Sequence, residues 1–365
     1  MDEDYELIQV PAVWCPIPEG IHPQWRALHA DAVEWMDRLG IYRDDDHRAR
    51  NAASGAGELA ARVAPGGTED ALRVYTRFLM WLFSFDDGYC SEGMFGGRPQ
   101  DLAVVTARML RVAETPAPDR MFDDDPWTSG LRDIRLSLDS LASPAQISRW
   151  VMALRMYLFS QVWEASHRSR GSIPDLNDYV AMRIFSGSLD VCASLLDVVH
   201  GCEAGVDELC RPEVRALTEM MSLLVSIDND LMSYHKEINR SGDPQRVLDL
   251  LMRRDGCTLD EAVRRTVGLR DRILLRYLTL RDEVAAAAGP SLRRYLAGLD
   301  GWIRGNLDWG RTCARYLHLD NPISLPTHFA ETPSDGTAGP LPIPTVSWWW
   351  QDFRSGSRCP APALS

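Results

Sequence analysis

The sequence predicts an all-α fold built as a single-domain helical bundle. Two observations carry that reading. Apolar residues recur with a 3.6-residue period almost without interruption from about residue 23 to residue 317. Strand-like alternation is rare, and no βαβ rhythm, Gly-rich phosphate loop or internal repeat is present. Length agrees, since 365 residues suffice to bury one large core or two ordinary ones.

In chain order, the opening "VPAVWCPIPEGIHP" is Pro-rich and reads as an extended segment within 1–22. A helix begins near Pro23 and runs through "WRALHADAVEWMDRLG". Further helices are expected near 55–64, 68–88, 100–114, 127–142, 144–169, 174–200, 206–239, 243–254, 258–288 and 290–317. Their breaks fall at "APGGTED", "TPAPDRMFDDDP" and "NRSGDP", where Gly, Pro and Asp cluster. The helical domain is thus expected over 23–320. From 321 to 365, eight prolines and "SDGTAG" predict a largely disordered tail. The "SWWW" at 347–350 is its exception, because such a cluster wants a surface or a partner.

Composition narrows the class. The chain is 45% apolar and 25% charged, ordinary for a soluble globular protein. No apolar run approaches the roughly 20 residues that span a bilayer. The acidic "MDEDYELIQV" lacks the basic and apolar regions of a signal peptide, so a cytoplasmic location is expected. Eight cysteines without a CxxC pair suggest neither zinc nor a disulfide framework. A net charge of −13 argues against nucleic acid as a partner and suits a protein that collects divalent cations.

Two stretches carry chemistry. In "NDLMSYHKE", Asn229, Ser233 and Glu237 stand at four-residue intervals. A helix turns about 100° per residue, so these side chains share one face, drifting about 40° per step. An amide, a hydroxyl and a carboxylate on one stripe are either a solvated surface or half of a metal site. The apolar lead-in "MMSLLVSI" places the stripe at the end of a buried segment. In "FLMWLFSFDDGYCSE", Asp86 and Asp87 end a nearly unbroken apolar helix, where charge is expensive unless paired or metal-bound. The acidic runs Asp44–Asp46 and Asp123–Asp125 have no apolar helix leading in and read as solvated loop charge. Two oxygen-donor clusters facing each other across a cavity would favour Mg²⁺, which takes few protein ligands and prefers phosphate oxygens.

With these motifs the sequence resembles the class I terpene synthases (terpene cyclases) of bacteria. In that family an Asp-rich motif faces an N-x-x-x-S-x-x-x-E motif, and together they hold three Mg²⁺. "DDGYCSE" and "NDLMSYHKE" are similar to these two motifs, 143 positions apart from Asp86 to Asn229. A diphosphate-sensing arginine 46 positions before the Asn is matched by Arg183, and an Arg-Tyr pair by Arg315 and Tyr316. The opening segment is also similar, so the resemblance covers roughly 8–318. The form D-D-x-Y-C-x-acid is similar to that of the 2-methylisoborneol synthase branch. The position three after Arg183 is Ser186, where the family is often acidic, and the effector position is Gly187. Glu92 lies six after Asp86, whereas the common motif places its last acid four or five after the first. Six residues is about 240° round an ideal helix, so Gly88 would have to end or unwind the helix to bring Glu92 back.

The resemblance implies a helical bundle of the isoprenoid synthase type with a central apolar cavity. It implies Mg²⁺ held by Asp86, Glu92, Asn229, Ser233 and Glu237, with three ions expected around bound diphosphate. Arg183, Lys236, Arg315 and Tyr316 would donate to the diphosphate, and Gly187, in "SGS", would expose a backbone carbonyl beside the leaving group. The implied reaction is ionisation of an acyclic prenyl diphosphate and cyclisation of the cation to a terpene hydrocarbon or alcohol. Farnesyl diphosphate is favoured, geranylgeranyl diphosphate next, then geranyl or a methylated geranyl diphosphate, as in a monoterpene-type synthase. Aromatic candidates for lining the chamber are Trp81, Phe85, Phe185, Trp302 and Trp309. A chain-elongating prenyl transferase would normally carry two Asp-rich motifs. A non-catalytic helical binding protein would not need four intact polar clusters. No partner beyond the small-molecule substrate is expected, in a monomer or homodimer.

Overall fold

A computed structural model describes residues 8–91, 93–116, 121–122, 124–240, 245–317, 321 and 323–353. The described residues form helices and connecting turns. Two isolated bridges, Gln9 with Ser324 and Trp14 with Ala330, are their β pairing. The helices are α1 Trp25–Leu39, α2 Asp45–Ala52, α3 Ala56–Val63, α4 Glu69–Tyr89, α5 Pro99–Glu114, α6 Pro126–Leu138, α7 Pro144–Arg170, α8 Leu176–Ser186, α9 Leu189–Ala193, α10 Leu196–Val199, α11 Val206–Leu209, α12 Pro212–Met232, α13 Tyr234–Arg240, α14 Val247–Asp255, α15 Leu259–Ala287, α16 Pro290–Gly310 and α17 Pro344–Ser347. No described helix is long and apolar enough to cross a membrane.

Local chemistry accounts for the starts. Ser143 and Gln146 form a reciprocal capping box at α7, with Gln146 N–H donating to Ser143 Oγ (3.2 Å) and Ser143 N–H to Gln146 Oε1 (2.9 Å). Two acidic runs expected to be solvated loops prove to be helix starts. Asp44 caps α2 by accepting from His47 N–H (2.8 Å), with Asp45 and Asp46 in the first turn. Asp125 caps α6 through Thr128 N–H (2.9 Å) and accepts the Tyr89 hydroxyl (2.6 Å), which ties the end of α4 to α6. Asp123 lies outside the described residues.

α4 and α12 are buried almost all round and form the centre. α4 packs on α1, α3 and α6, while α12 packs on α8, α15 and α16; α16 returns to α3, and α7 joins α5 to α8. Three expected helices are interrupted. The 174–200 stretch divides into α8, α9 and α10, with Ser188 in the left-handed region (φ 61°). The 206–239 stretch is broken before Pro212 and pauses at Ser233, and the last long helix stops at Gly310.

The tail differs most from its expectation. Residues 323–353 run as a strap over the helices, with Leu341, Ile343, Val346 and Trp349 buried. Prolines remove backbone donors from such a segment, and helix side chains bond the carbonyls that remain. Arg272 Nε donates to Gly339 O (2.9 Å) and Arg276 Nε to Trp349 O (2.8 Å). Thr345 bonds Asn177 at the start of α8, and Trp349 Nε1 donates to Glu219 Oε2 on α12 (3.0 Å). The opening segment is held similarly. Arg270 is 0% exposed, pairs with Asp228 at 2.6 Å and donates to Trp14 O (2.7 Å). Trp349→Ala should therefore cost about 3–5 kcal/mol in urea denaturation. A strap lying loosely on the surface would lose under about 0.5 kcal/mol.

Candidate active site

Helix α4 delivers its two carboxylates in different directions, because neighbours on a helix diverge by about 100°. Asp87 points back into the protein and is 1% exposed. It receives both arms of Arg315, at 2.7 and 2.9 Å, and the Lys236 ammonium at 3.8 Å. Although burial pushes its carboxyl up, Arg315 and Lys236 hold it well below the usual carboxylate range. Asp86 faces the cavity, 3.7 Å from Arg315 Nη2, and accepts from Ser91 Oγ (3.4 Å). Burial, then the neighbouring Asp87 charge, pushes the Asp86 carboxyl up to about 7. Helix α4 continues through Gly88 and ends at Tyr89, and the next turn folds back, with Met94 N–H bonded to Gly88 O (3.1 Å). A Cβ at Gly88 would lie 2.8 Å from the Trp127 ring, so this glycine serves close packing while the helix runs on. Glu92 lies outside the described residues.

The second cluster keeps its common face across the join between α12 and α13. Ser233 N–H bonds Asn229 O (2.8 Å) and Glu237 N–H bonds Ser233 O (3.0 Å), so the i to i−4 ladder runs through. Asn229 and Glu237 line the cavity. Ser233 is buried beside the wall, its hydroxyl within reach of Glu237 Oε1 (2.5 Å) and Asn229 O (2.7 Å). Asn229 also links two predicted diphosphate contacts. Arg183 Nη2 donates to its Oδ1 (2.8 Å), and its Nδ2 donates to the Tyr316 hydroxyl (2.7 Å).

Residues that sequence reasoning passed over hold this arrangement. Buried Asp230 accepts from Arg183 Nη2 (2.7 Å), Val247 N–H (2.8 Å) and the Tyr179 hydroxyl, and so fixes the arginine. Its adjacency to Asn229 in "NDLM" was the available signal. Buried Asn321 accepts from Lys236 N–H (3.0 Å) and donates to the carbonyls of Met232 and Tyr316 (2.7 Å each), joining the end of α12 to the Arg-Tyr segment. Glu164 and Arg168 of α7 also line the cavity.

The cavity has about 1130 Å³ of empty space, mouth included. Its wall carries Asp86, Arg183, Gly187, Asn229, Lys236, Glu237, Arg315 and Tyr316, which the structure brings together from five regions of the chain. Leu79 and Leu82 on α4 and Val225 on α12 stand one to two turns below the carboxylates and Asn229, which makes the deeper wall apolar. Among the aromatic candidates, Trp302 and Trp309 line the cavity, joined by Phe83 and Tyr157. Trp81 and Phe85 instead stack on each other (5.0 Å between centroids) within the packed core, and Phe185 is also absent from the wall.

Gly187 closes α8, and a Cβ there would lie 2.4 Å from Ser226 Oγ. Its carbonyl has no hydrogen-bond partner among the described residues, while Gln161 Nε2 takes that of Ser186 (3.0 Å). The donors suit a hard divalent cation: the Asp86 and Glu237 carboxylates and the Asn229 amide line one cavity, with the Ser233 hydroxyl bonded to Glu237. Arg183 Nε is buried without a hydrogen-bond partner among the described residues.

Comparison with known proteins agrees with this geometry. The family model "Terpene synthase family 2, C-terminal metal binding" matches residues 77–274. The chain is 38% identical over 347 residues to a germacradien-6-ol synthase of Streptomyces pratensis, covering 94% of this chain and 96% of that protein. It is 35% identical to the (+)-T-muurolol synthase of Streptomyces clavuligerus, described as farnesyl diphosphate cyclizing, covering 93% of this chain and 81% of that protein. A crystal structure of the SVS_A2 protein from ancestral sequence reconstruction superposes with a TM-score of 0.84 at 35% identity, covering 94% of this chain and 98% of that one. The 2-methylisoborneol synthase of Streptomyces coelicolor, solved with Mg²⁺ and 2-fluoroneryl diphosphate, shares the fold (TM-score 0.77, 22% identity, 88% of this chain and 100% of that one). The chain belongs to the terpene synthase family, as a carbon–oxygen lyase of the class I terpene cyclase type.

Proposed function

We propose that this cyclase ionises an acyclic prenyl diphosphate, farnesyl diphosphate in the first place and geranylgeranyl diphosphate next, and closes the resulting cation into a cyclic terpene. One observation carries the reading: a single cavity is rimmed by Arg183, Lys236, Arg315, Tyr316 and the oxygen donors Asp86, Asn229 and Glu237, and walled below by leucine, valine and indole. That division fits a diphosphate head on a hydrocarbon body. The farnesyl preference draws on the muurolol synthase named above.

In this scheme Arg183, Lys236, Arg315 and Tyr316 donate to the diphosphate oxygens, the arginines by forks that match phosphate geometry. Asp86, Glu92, Asn229, Ser233 and Glu237 would hold three Mg²⁺, whose charge makes diphosphate a good leaving group. As the C–O bond breaks, the allylic cation is left facing Phe83, Tyr157, Trp302 and Trp309, whose π-faces attract positive charge. Gly187 stands on the wall of the same chamber, and its backbone carbonyl would offer a partial negative charge to the cation and could later accept a proton.

The direct test offers geranyl, farnesyl and geranylgeranyl diphosphate separately with Mg²⁺, and reads the extracts by gas chromatography–mass spectrometry. A cyclic product from farnesyl diphosphate is expected, abolished by a chelator. Longer prenyl diphosphates from mixed substrates would mean an elongating enzyme instead. Asn229→Ala and Arg183→Lys should each lower kcat/KM by about 10²–10³-fold, because each removes positioned charge or donors at the leaving group. Wild-type kinetics in either would remove that residue from the scheme.

The two adjacent carboxylates should separate by readout. Asp86→Asn is expected to lose turnover with little change in melting temperature. Asp87→Asn leaves Arg315 and Lys236 buried without their counter-charge and should destabilise by about 3–5 kcal/mol in chemical denaturation. Equal stabilities would refute the division of roles.

A further inference from the structure

The chamber ends on a tryptophan that is hydrogen-bonded in place. Helices α4, α12 and α16 all turn their C-terminal ends to the rim, so wall residues earlier in each helix lie deeper. Phe83 and Trp309 stack at 5.7 Å between centroids, which sets α4 and α16 level with each other. About two turns lower the same helices meet again, where Trp302 Nε1 donates to the Tyr75 hydroxyl (2.9 Å). That hydroxyl in turn donates to Cys192 O on α9 (3.3 Å). Trp302 is the wall residue farthest from the rim on α16, whereas Tyr75 stands behind the wall and is 1% exposed. Beneath Trp302 the packing closes. A Cβ at Gly298, one turn further down, would lie 2.9 Å from the Leu196 side chain on α10.

The depth of this floor matches a particular chain. Asp86 and Tyr75 lie on one continuous helix, about 16 Å apart along its axis. An extended chain advances about 1.2 Å per bond, so three four-bond isoprene units reach about 15 Å and four reach about 20 Å. A cyclising chain folds up, but its fourth unit still needs room that the closed turn beneath Trp302 does not give. An unbonded indole could swing aside to make that room. Turning this one would leave its N–H and the Tyr75 hydroxyl buried without each other, which is costly.

We propose that Trp302 sets the prenyl chain length this enzyme accepts, admitting the farnesyl chain and turning the geranylgeranyl chain away. Tyr75 is its positioning residue, holding the indole across the floor through the bond to the Cys192 carbonyl. The inference rests on the cyclase reading above and assigns its choice of substrate to two side chains outside the diphosphate rim.

The experiment compares kcat/KM for farnesyl and geranylgeranyl diphosphate, each with Mg²⁺, in the wild type, Trp302→Ala and Tyr75→Phe. The wild type should favour farnesyl diphosphate by about tenfold or more. Trp302→Ala should lower that ratio by about 100-fold, within the range over which apolar pockets discriminate by size. Tyr75→Phe keeps the ring and removes only the hydroxyl, and should lower the ratio by about fivefold, the worth of one hydrogen bond. If Trp302→Ala does not fold, Tyr75→Phe decides alone. A wild type that prefers geranylgeranyl diphosphate, or a ratio that either folded variant leaves unchanged, would overturn the inference and leave the cyclase reading intact. A Tyr75→Phe enzyme that loses turnover equally on both substrates would give Tyr75 a purely structural role, and it too would overturn the inference. Calorimetric binding of the farnesyl and geranylgeranyl S-thiolodiphosphates with Mg²⁺ reads the floor without turnover, because sulfur at the bridging position resists ionisation. Tighter binding of the farnesyl analogue, relaxed in both variants, is expected. That pattern without any product from the diphosphates would count against the cyclase reading and still support the floor. Equal binding of both analogues to the wild type would overturn the floor.

Discussion

The buried cluster of Asp87, Arg315 and Lys236 is the constraint from which the rest of the site follows. Its members come from the end of α4, from α13 and from the turn after α16, with 228 positions between Asp87 and Arg315. Taking three charges out of water is expensive, and their attraction repays that only in good geometry. The arrangement therefore tolerates few alternatives. With Asp87 committed inward, the helix phase turns Asp86 onto the cavity wall. With Arg315 committed to Asp87, its guanidinium sits 4.7 Å over the Phe83 ring and beside Asp86. One ion cluster thus sets both the cationic and the anionic side of the rim.

A second network makes the rim rigid before any ligand arrives. Asp230 holds Arg183, Arg183 holds Asn229, and Asn229 holds Tyr316, while Asn321 ties Tyr316 to the start of α13. Groups fixed this way need no reorganisation when charge develops beside them, which is where a preorganised site gains most. The strap reaches the same helices from outside, at Asn177 on α8 and Glu219 on α12. The helices that carry Arg183 and Asn229 are accordingly pinned at points remote from the cavity.

Much of this was legible in the sequence, and the part that was not has a common cause. Helix periodicity and the four-residue spacing of Asn229, Ser233 and Glu237 are local properties, and they placed the helices and the stripe. The division of labour between Asp86 and Asp87 depends on how α4 is rotated against α13 and α16, which local spacing does not contain. The same holds for the aromatics. Trp81 and Phe85 carry the same apolar signal as Phe83, but only the last faces the chamber. The tail was misjudged because proline content predicts a lack of regular hydrogen bonding. It does not predict that Arg272 and Arg276 supply the missing donors.

A few of the buried polar atoms without a hydrogen-bond partner among the described residues belong to residues of the cavity wall. Among the described residues, Arg183 Nε, Ser186 Oγ and Asn306 Nδ2 are buried without partners, the Gly187 carbonyl is unbonded, and Ser188 next to it occupies left-handed backbone. Each unmade buried hydrogen bond costs on the order of 1–3 kcal/mol. Left-handed backbone at a residue with a side chain costs about 1–3 kcal/mol. Native proteins keep such deficits where the surrounding structure over-determines them, and here that structure is two buried ion clusters, a tryptophan-rich core and the strap. That stability is spent beside the wall that carries Asp86, Arg183 and Asn229. A core repacked to satisfy every one of them would be more stable, and it would no longer present the same polar groups along that wall.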